Sequence, residues 1–346
     1  MRVLHLMAGA KVGGAETFFG RLVIGLEKAG LEQRVISRHE INREKMFAEA
    51  SVDFSTAQFG GFWDVSTRRV VKKEIGLFLP DIVISWMNRP TRFVPKLPNG
   101  NGRVFIHLGS PRGYYPPKYY KECEHLVVTT EDLATFYVDS GRAPNDVSVI
   151  PNFVPDNRAM PVQRKKYDTP EDAPLLLALG RFHPNKGFDI LLKAMQKLPN
   201  HFLWLGGDGP LKKKLMDMSR NLGVSERVRF LGWVLDPGPL YSAADVFICS
   251  SRHEPFGNIV IESWLYSTAI VASASEGPSA IIEHGKTGLI VPNENPFALS
   301  KAIQELYLNP VFCNKLAAAG RKRYQETYTE KRVVGQYLEL FERLIN

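Results

Sequence analysis

Apolar residues recur along this chain in two alternating ways. Short β-branched runs, RVLHLM (2–7), QRVIS (33–37), DIVISW (81–86), RVFIH (103–107), HLVVT (125–129) and VSVI (147–150), read as buried strands. Helically spaced stretches separate them. The first is AKVGGAETFFGRLVIGLEKAG (10–30), which turns through Gly13-Gly14 and closes at Gly30. From Pro151 to Pro174 the chain carries proline and charge without an apolar period, the texture of a linker. The alternation restarts with LLLALG (175–180), FLWLGG (202–207), VRFLG (228–232), VFICS (246–250), AIVAS (269–273) and GLIVP (288–292). Beyond about Pro296 only helical patterns follow, and a break near Thr327 to Thr329 sets off a last helix, EKRVVGQYLELFERLIN. Strands alternating with helices predict parallel sheets covered on both faces, so the expected fold class is α/β with two doubly wound domains. Such sheets bind ligands outside the carboxyl ends of their strands, and two of them facing each other leave a cleft there.

Composition narrows the class. A chain of 346 residues exceeds one small core and suits two ordinary domains, and 44% hydrophobic with 23% charged residues is globular rather than disordered. The opening MRVLHLMAGA reads as a first strand rather than a signal core, and no apolar run approaches the roughly 18 residues needed to span a bilayer. Cys123, Cys249 and Cys313 are scattered, odd in number and without metal-ligand spacing, which favours a reduced, cytoplasmic setting. The net charge of +8 is spread over both halves. It serves solubility at the least and an anionic ligand or surface at the most; no nucleic-acid reader motif accompanies it, so no nucleic-acid partner is expected.

The stretch DVFICSSRHEPFGNIVIESWLY (245–266) is richest in chemistry. It reads as a strand, a polar loop and a helix opening near Asn258, with Glu254 in the loop and Glu262 eight residues on. The first N–H groups of a helix are unpaired and carry the positive end of its dipole, so this junction is a seat for phosphate. Two carboxylates beside a phosphate seat make sense if each accepts hydrogen bonds from hydroxyls at the two ends of one ligand, a sugar and a ribose. GRFHPNKG (180–187) follows the first strand of the second half and supplies Arg181 and Lys186 at a strand mouth, where they can neutralise a diphosphate; a solvated basic loop is the plainer reading.

Other candidates are weaker. Gly13-Gly14-Ala15-Glu16 lets backbone approach a phosphate but lacks the dinucleotide fingerprint, and G207-D-G-P-L-K has Lys212 where that fingerprint wants its third glycine. His107 ends the RVFIH run and is expected to point out of the strand end, although a lone histidine is more often structural. No His or Cys cluster has ligand spacing and no Asp-x-Asp occurs, so no metal is expected. In FGGFWDVSTRRVVKKEIGLFL (59–79), Phe62 and Trp63 precede a helix carrying Arg68, Arg69, Lys72 and Lys73 on one broad face. That is a solvated helix face or a peripheral contact with an anionic membrane. SPRGYYPPKYYKE (110–122) repeats the aromatic and basic theme.

Together these motifs resemble the family 4 glycosyltransferases of the GT-B fold, over essentially the whole length. The resemblance rests on Gly13-Gly14, GRFHPNKG, LGGDGPLKKKL, RVRFLGWV, E-P-F-G-N-I-V-I-E, EGPSAIIEHGKTGLIVP and the terminal helix. It implies two Rossmann-like domains, 1–154 completed by a helix crossing back at 328–346, and 174–327, joined by a linker at 155–173. It also implies a retaining transferase without cofactor or metal. A nucleotide-sugar donor, with UDP the expected nucleotide, would give a hexose to a glycan or lipid-linked acceptor in lipopolysaccharide-core or other surface-polysaccharide synthesis. Arg181 and Lys186 would meet the donor diphosphate, Glu254 the sugar hydroxyls and Glu262 the ribose. The Phe256, Gly257, Asn258 and Ile259 backbone and Gly13-Gly14 would cradle sugar and phosphate, and His107 would face the sugar. Base recognition is expected from backbone near Trp233 to Leu235. Acceptor contacts are expected around Glu16, Asn88, Arg89 and Arg112, where the family pattern is loosest.

Three other readings compete. A nucleotide-sugar epimerase of the same fold would act without acceptor. A glycoside hydrolase would need Glu254 and Glu262 about 5 Å apart, which a loop-to-helix spacing of eight residues disfavours. A non-catalytic sugar-binding protein would have no use for Arg181 and Lys186.

Overall fold

A computed structural model describes residues 1–10, 13–61, 63–95, 105–157 and 159–346. They fall into two compact units, Met1–Pro155 with Glu330–Asn346, and Asp156–Thr329. In the first, β1 (Arg2–Met7), β2 (Glu32–Ser37), β3 (Asp53–Thr56), β4 (Ile82–Trp86), β5 (Ile106–Ser110), β6 (His125–Val128) and β7 (Val147–Val149) form one parallel sheet in the order β3-β2-β1-β4-β5-β6-β7. Helices α1 (Gly14–Lys28), α2 (Ile41–Glu49), α3 (Val65–Phe78), α4 (Asn88–Thr91) and α5 (Glu131–Asp139) lie between the strands.

In the second unit, β8 (Leu175–Leu179), β9 (Phe202–Gly206), β10 (Val228–Gly232), β11 (Val246–Cys249), β12 (Ala269–Ser273) and β13 (Leu289–Val291) are again all parallel, in the order β10-β9-β8-β11-β12-β13. Its helices are α6 (Phe188–Met195), α7 (Lys212–Asn221), α8 (Gly238–Ala243), α9 (Asn258–Leu265), α10 (Glu276–Ile281), α11 (Pro296–Leu308) and α12 (Pro310–Thr327). The last helix, α13 (Glu330–Ile345), returns to the first unit.

Alternation along the strands explains the layering. On β1, Val3 and Met7 join a core that holds Phe18 and Leu22 of α1 and Val333, Tyr337 and Phe341 of α13, while Leu4 and Leu6 face Val71 and Ile75 of α3. The spacing of Val333, Val334, Tyr337, Leu340 and Phe341 gives α13 one buried stripe, which commits it to the first unit.

Three expectations change. DFST carries too little apolar pattern to read as a strand, yet it extends the first sheet as β3 beside β2. The stretch expected as a linker is fastened to the second unit: Arg164 donates to Ala173 O, Ala243 O and Asp245, Ser242 Oγ to Ala159 O, and Tyr266 OH to Asn157 O. The strand expected at 103–107 runs instead from Ile106 to Ser110, with 103 and 104 outside the described residues. Gly109 sits inside this strand, packed so closely that a Cβ there would lie 2.7 Å from the Leu126 side chain and 2.8 Å from Cys123 Sγ.

Candidate active site

In an open parallel sheet, strand order reverses at one point, and the loops leaving the carboxyl ends of the two strands there part to leave a crevice. In the second unit that point lies between β8 and β11. The loop after β8 is GRFHPNKG and the loop after β11 is SSRHEPFG, so topology brings together two segments some seventy residues apart. Their meeting is an ion pair between Lys186 Nζ and Glu254 Oε2, both largely buried. Burial alone would pull the Lys186 pKa down, but the Glu254 carboxylate outweighs it and the ammonium is held above its usual range.

The pair sits beside the start of α9. Gly257 caps that helix with φ 92° and no side-chain cap, so backbone N–H groups at its first turn have no capping side chain. Asn258 and Ile259 open the helix and Phe256 is buried beneath it. Glu262, one turn on, accepts from Tyr241 OH at 3.2 Å. Lys186 and Glu262 both line a cavity of about 150 Å³ that also meets Gly180, Gly207, Trp233 and Ile259. Arg181 is exposed at the start of the same loop and its guanidinium makes no hydrogen bond or ion pair among the described residues. Burial pushes the Cys249 thiol up to about 11, so it is not a nucleophile near neutral pH. A cavity of about 520 Å³ opens at the other edge of this sheet, beside Leu175 and Val246 at the amino ends of β8 and β11, away from these groups.

What holds the two loops in register was not readable from sequence. Arg252 uses all five of its side-chain N–H donors to tie its own loop to neighbouring segments. Nη1 and Nη2 grip Asp189 of α6 at 2.8 Å each, Nη1 also reaches Pro184 O at 2.7 Å, Nη2 reaches Glu294 at 3.1 Å, and Nε meets the same carboxylate. Its backbone N–H donates to Asn185 O at 2.7 Å, and Ser250 Oγ to Lys186 O at 2.9 Å. Hydrogen bonds from Arg252 hold the Asp189 carboxyl below its usual range. Gly187 has φ 60°, and a Cβ there would stand 2.0 Å from Ser250 O, so only glycine lets the loops close. On the other side, Glu276 accepts from the Glu254 N–H at 3.1 Å and lies 3.0 Å from His253 Nδ1. Arg252 and Asp189 are 63 residues apart, and no local spacing in the sequence links them.

In the first unit the outcome is mixed. His107 is second in β5 rather than last, 4% exposed, with Nε2 2.9 Å from Ser85 Oγ and 3.7 Å from Cys123 Sγ. Burial pulls its pKa down to about 4, so it is a neutral core residue and the expectation that it faces a sugar is withdrawn. Arg112 is buried as well: it donates to Asn152 Oδ1 at 3.0 Å and Tyr337 OH at 2.8 Å, and lies 4.6 Å over the rings of Phe18 and Trp86. It anchors α13 to the loop after β5 and is not available as an acceptor contact. Gly13 caps α1 and Gly14 opens it, at the carboxyl end of β1. Glu16 in the first turn accepts from the Ala10 N–H at 2.7 Å. Asn88 and Arg89 lie in α4, at the carboxyl end of β4, with Arg89 exposed.

The role given to Arg252 has a direct check in amide hydrogen exchange. Each charge-assisted bond contributes about 1.5–3 kcal/mol, so Arg252→Met is expected to speed exchange across 184–187 and 252–257 by at least about tenfold. The strands of both sheets should be unaffected; unchanged exchange in the loops would mean that something else joins them.

Comparison with known proteins agrees with this geometry. The profile of the glycosyl transferases group 1 matches residues 160–323, which span both loops. The lipopolysaccharide core biosynthesis glycosyltransferase LpsD of Rhizobium meliloti is 34% identical over 350 residues, covering 99% of this chain and 98% of its own. LpsE of the same organism is 34% identical over 353 residues, covering 98% of each. Among solved structures, Anabaena HepE in complex with UDP and glucose superimposes with a TM-score of 0.84 at 17% identity, over 99% of this chain and 100% of its own, a likeness of fold. With two all-parallel α/β units of the GT-B type and full-length relatives at this identity, the chain belongs to the group 1 glycosyl transferases.

Proposed function

We propose that this glycosyltransferase is retaining and metal-independent. It moves a hexose from a UDP-sugar to a glycan or lipid-linked acceptor in the assembly of lipopolysaccharide core or a related surface polysaccharide. The observation that carries the reading is the Lys186–Glu254 pair at the β8/β11 switch point, beside the uncapped start of α9. The names of LpsD and LpsE support the pathway, and the UDP bound to HepE supports the nucleotide.

Breaking the bond between sugar C1 and the diphosphate oxygen builds positive charge on the sugar and negative charge on the leaving group. Fixed cations and helix N–H groups help most when they meet charge that develops in the transition state. Lys186, Arg181 and the N–H groups from Gly257 to Ile259 take the diphosphate; Glu254 accepts from sugar hydroxyls and Glu262 from the ribose. The base enters the cavity beside Trp233. The acceptor hydroxyl attacks C1 on the face the leaving group vacates and its proton passes to the departing diphosphate, giving the glycoside and UDP. Among the described residues no group of three His, Cys, Asp or Glu side chains is placed to hold a metal ion.

Peripheral attachment to the inner face of the cytoplasmic membrane belongs to the same reading. No helix among the described residues is long and apolar enough to cross a membrane. The outer face of α3 presents Arg69, Lys72, Lys73 and Leu77, with Trp63 85% exposed just before it; Phe62 lies outside the described residues. Arg68 is partly turned away, donating to Arg92 O and lying over Phe93. Each basic residue near an anionic surface contributes about 1 kcal/mol.

Incubation with a panel of nucleotide sugars and a lipid-linked acceptor tests the chemistry. UDP should be released only with acceptor, the product should keep the donor's anomeric configuration, and EDTA should not slow it. Glu254→Ala should reduce transfer at least about a hundredfold while UDP still binds. No nucleotide released with any donor, or full turnover in that variant, would sink the assignment; isomerised sugar without acceptor would point to the epimerase. For the membrane, Arg69→Glu with Lys73→Glu should abolish cosedimentation with phosphatidylglycerol vesicles, and equal binding to phosphatidylcholine would contradict it.

A further inference from the structure

The first sheet has its own switch point, between β1 and β4, and its side chains have a charge pattern that the donor chemistry does not use. Arg38 follows β2 directly, and its N–H donates to Met7 O at 3.2 Å, at the carboxyl end of β1. Its guanidinium is fixed by two neutral acceptors, Nε to Gln58 O at 2.8 Å and Nη2 to Phe59 O at 2.7 Å. It forms no ion pair among the described residues. Arg89 stands in α4, three residues beyond the end of β4, exposed and with no hydrogen bond or ion pair among the described residues. β2 and β4 flank β1, with partners Met7↔Ser37 and Met7↔Trp86, so the chain segments carrying the two arginines rise on either side of the end of β1, two strand spacings or roughly 10 Å apart.

The neighbouring arginine shows what a compensated cation in this corner looks like. Arg43 is buried, donates to Ala10 O at 2.8 Å and lies in the field of Glu40, Glu16 and Glu44. Glu40 accepts from the Arg43 N–H at 2.8 Å, Glu16 from the Ala10 N–H, and Glu44 is 2.7 Å from His39 Nδ1. The acids of this corner thus already have partners. Arg38, by contrast, is held below its usual pKa first by burial and then by repulsion from Arg89. Two cations that repel across a crevice, one of them pre-aimed by backbone carbonyls, are an anion site whose counter-charge comes from outside the protein.

We propose that Arg38 and Arg89 bind an anionic substituent, a phosphate or a carboxylate, on the sugar acceptor. This rests on the transferase reading, and it narrows the acceptor to a charged glycan. The donor diphosphate has its cations, Lys186 and Arg181, on the second unit, and the two arginines of the first unit are left for the other substrate.

Calorimetric titration of the full chain in the presence of UDP, at low salt, tests this with three probes: glucose 6-phosphate, glucuronate and glucose. At least one of the two charged sugars should bind, glucose should not, and binding should weaken as salt rises. Arg89→Gln, at an exposed side chain without a hydrogen bond or ion pair among the described residues, should weaken charged-sugar binding about tenfold, and Arg89→Glu should abolish it. Arg38→Lys, which keeps the charge but loses the carbonyl grip, should fall between wild type and Arg38→Gln. UDP affinity should be unchanged in all of them. Charged-sugar binding that survives in Arg38→Gln/Arg89→Gln, or equal binding of glucose, would overturn the proposal. So would a double variant that loses only its binding to phosphatidylglycerol vesicles, since the arginines would then read lipid headgroups. If the wild type binds UDP but no charged sugar, this inference alone fails; if it does not bind UDP, the transferase reading fails first.

Discussion

A lysine drawn largely out of water needs a counter-charge, and Lys186 finds one in Glu254, 68 residues along the chain. Much in the second unit serves that meeting. The reversal of strand order between β8 and β11 delivers the two loops to one place, Gly187 lets their backbones touch, and Arg252 fixes their register through Asp189, Glu294 and Pro184 O. The uncapped start of α9 then stands next to a cation and a carboxylate that are positioned before any substrate arrives. Prepositioning of this kind is what makes electrostatic catalysis effective, because nothing has to reorganise when charge develops.

The same topology is used twice with different chemistry. At the β8/β11 point Lys186 from one loop and Glu254 from the other neutralise each other. At the β1/β4 point the acids are taken up by Arg43 and the Ala10 N–H, and Arg38 and Arg89 are left in mutual repulsion. A self-neutralised site suits a donor that carries both phosphate and hydroxyls. A site of one sign suits a partner that brings only the opposite one.

Much of this was legible in the chain. The short apolar runs matched twelve of the strands, since parallel strands buried on both faces must be continuously apolar, and the break before α13 was marked by Thr327 to Thr329. Lys186 and Glu254 stood out as candidates because each lies in a strand-to-helix loop, and the structure places the two in contact; the roles given to them and to Glu262 toward a donor are part of the proposal. His107 was misplaced because the strand does not end with the RVFIH run: β5 continues to Ser110, so the histidine is second in it and buried. Arg112 was misplaced because its partners, Asn152 and Tyr337, come from remote segments. Arg252 was missed on the same ground. Side chains whose role is set by non-local contacts leave no periodic trace, and DFST was too short and polar to leave one either.

The most direct measurement is a crystal structure of the protein grown with UDP-glucose, read at the Lys186 ammonium. The expected result is a diphosphate oxygen about 2.7–3.2 Å from Nζ, the base in the cavity beside Trp233, and Glu254 turned to the sugar hydroxyls. A nucleotide bound elsewhere, with Lys186 still joined to Glu254 and that cavity empty, would contradict the central claim that this ion pair holds the place of the donor.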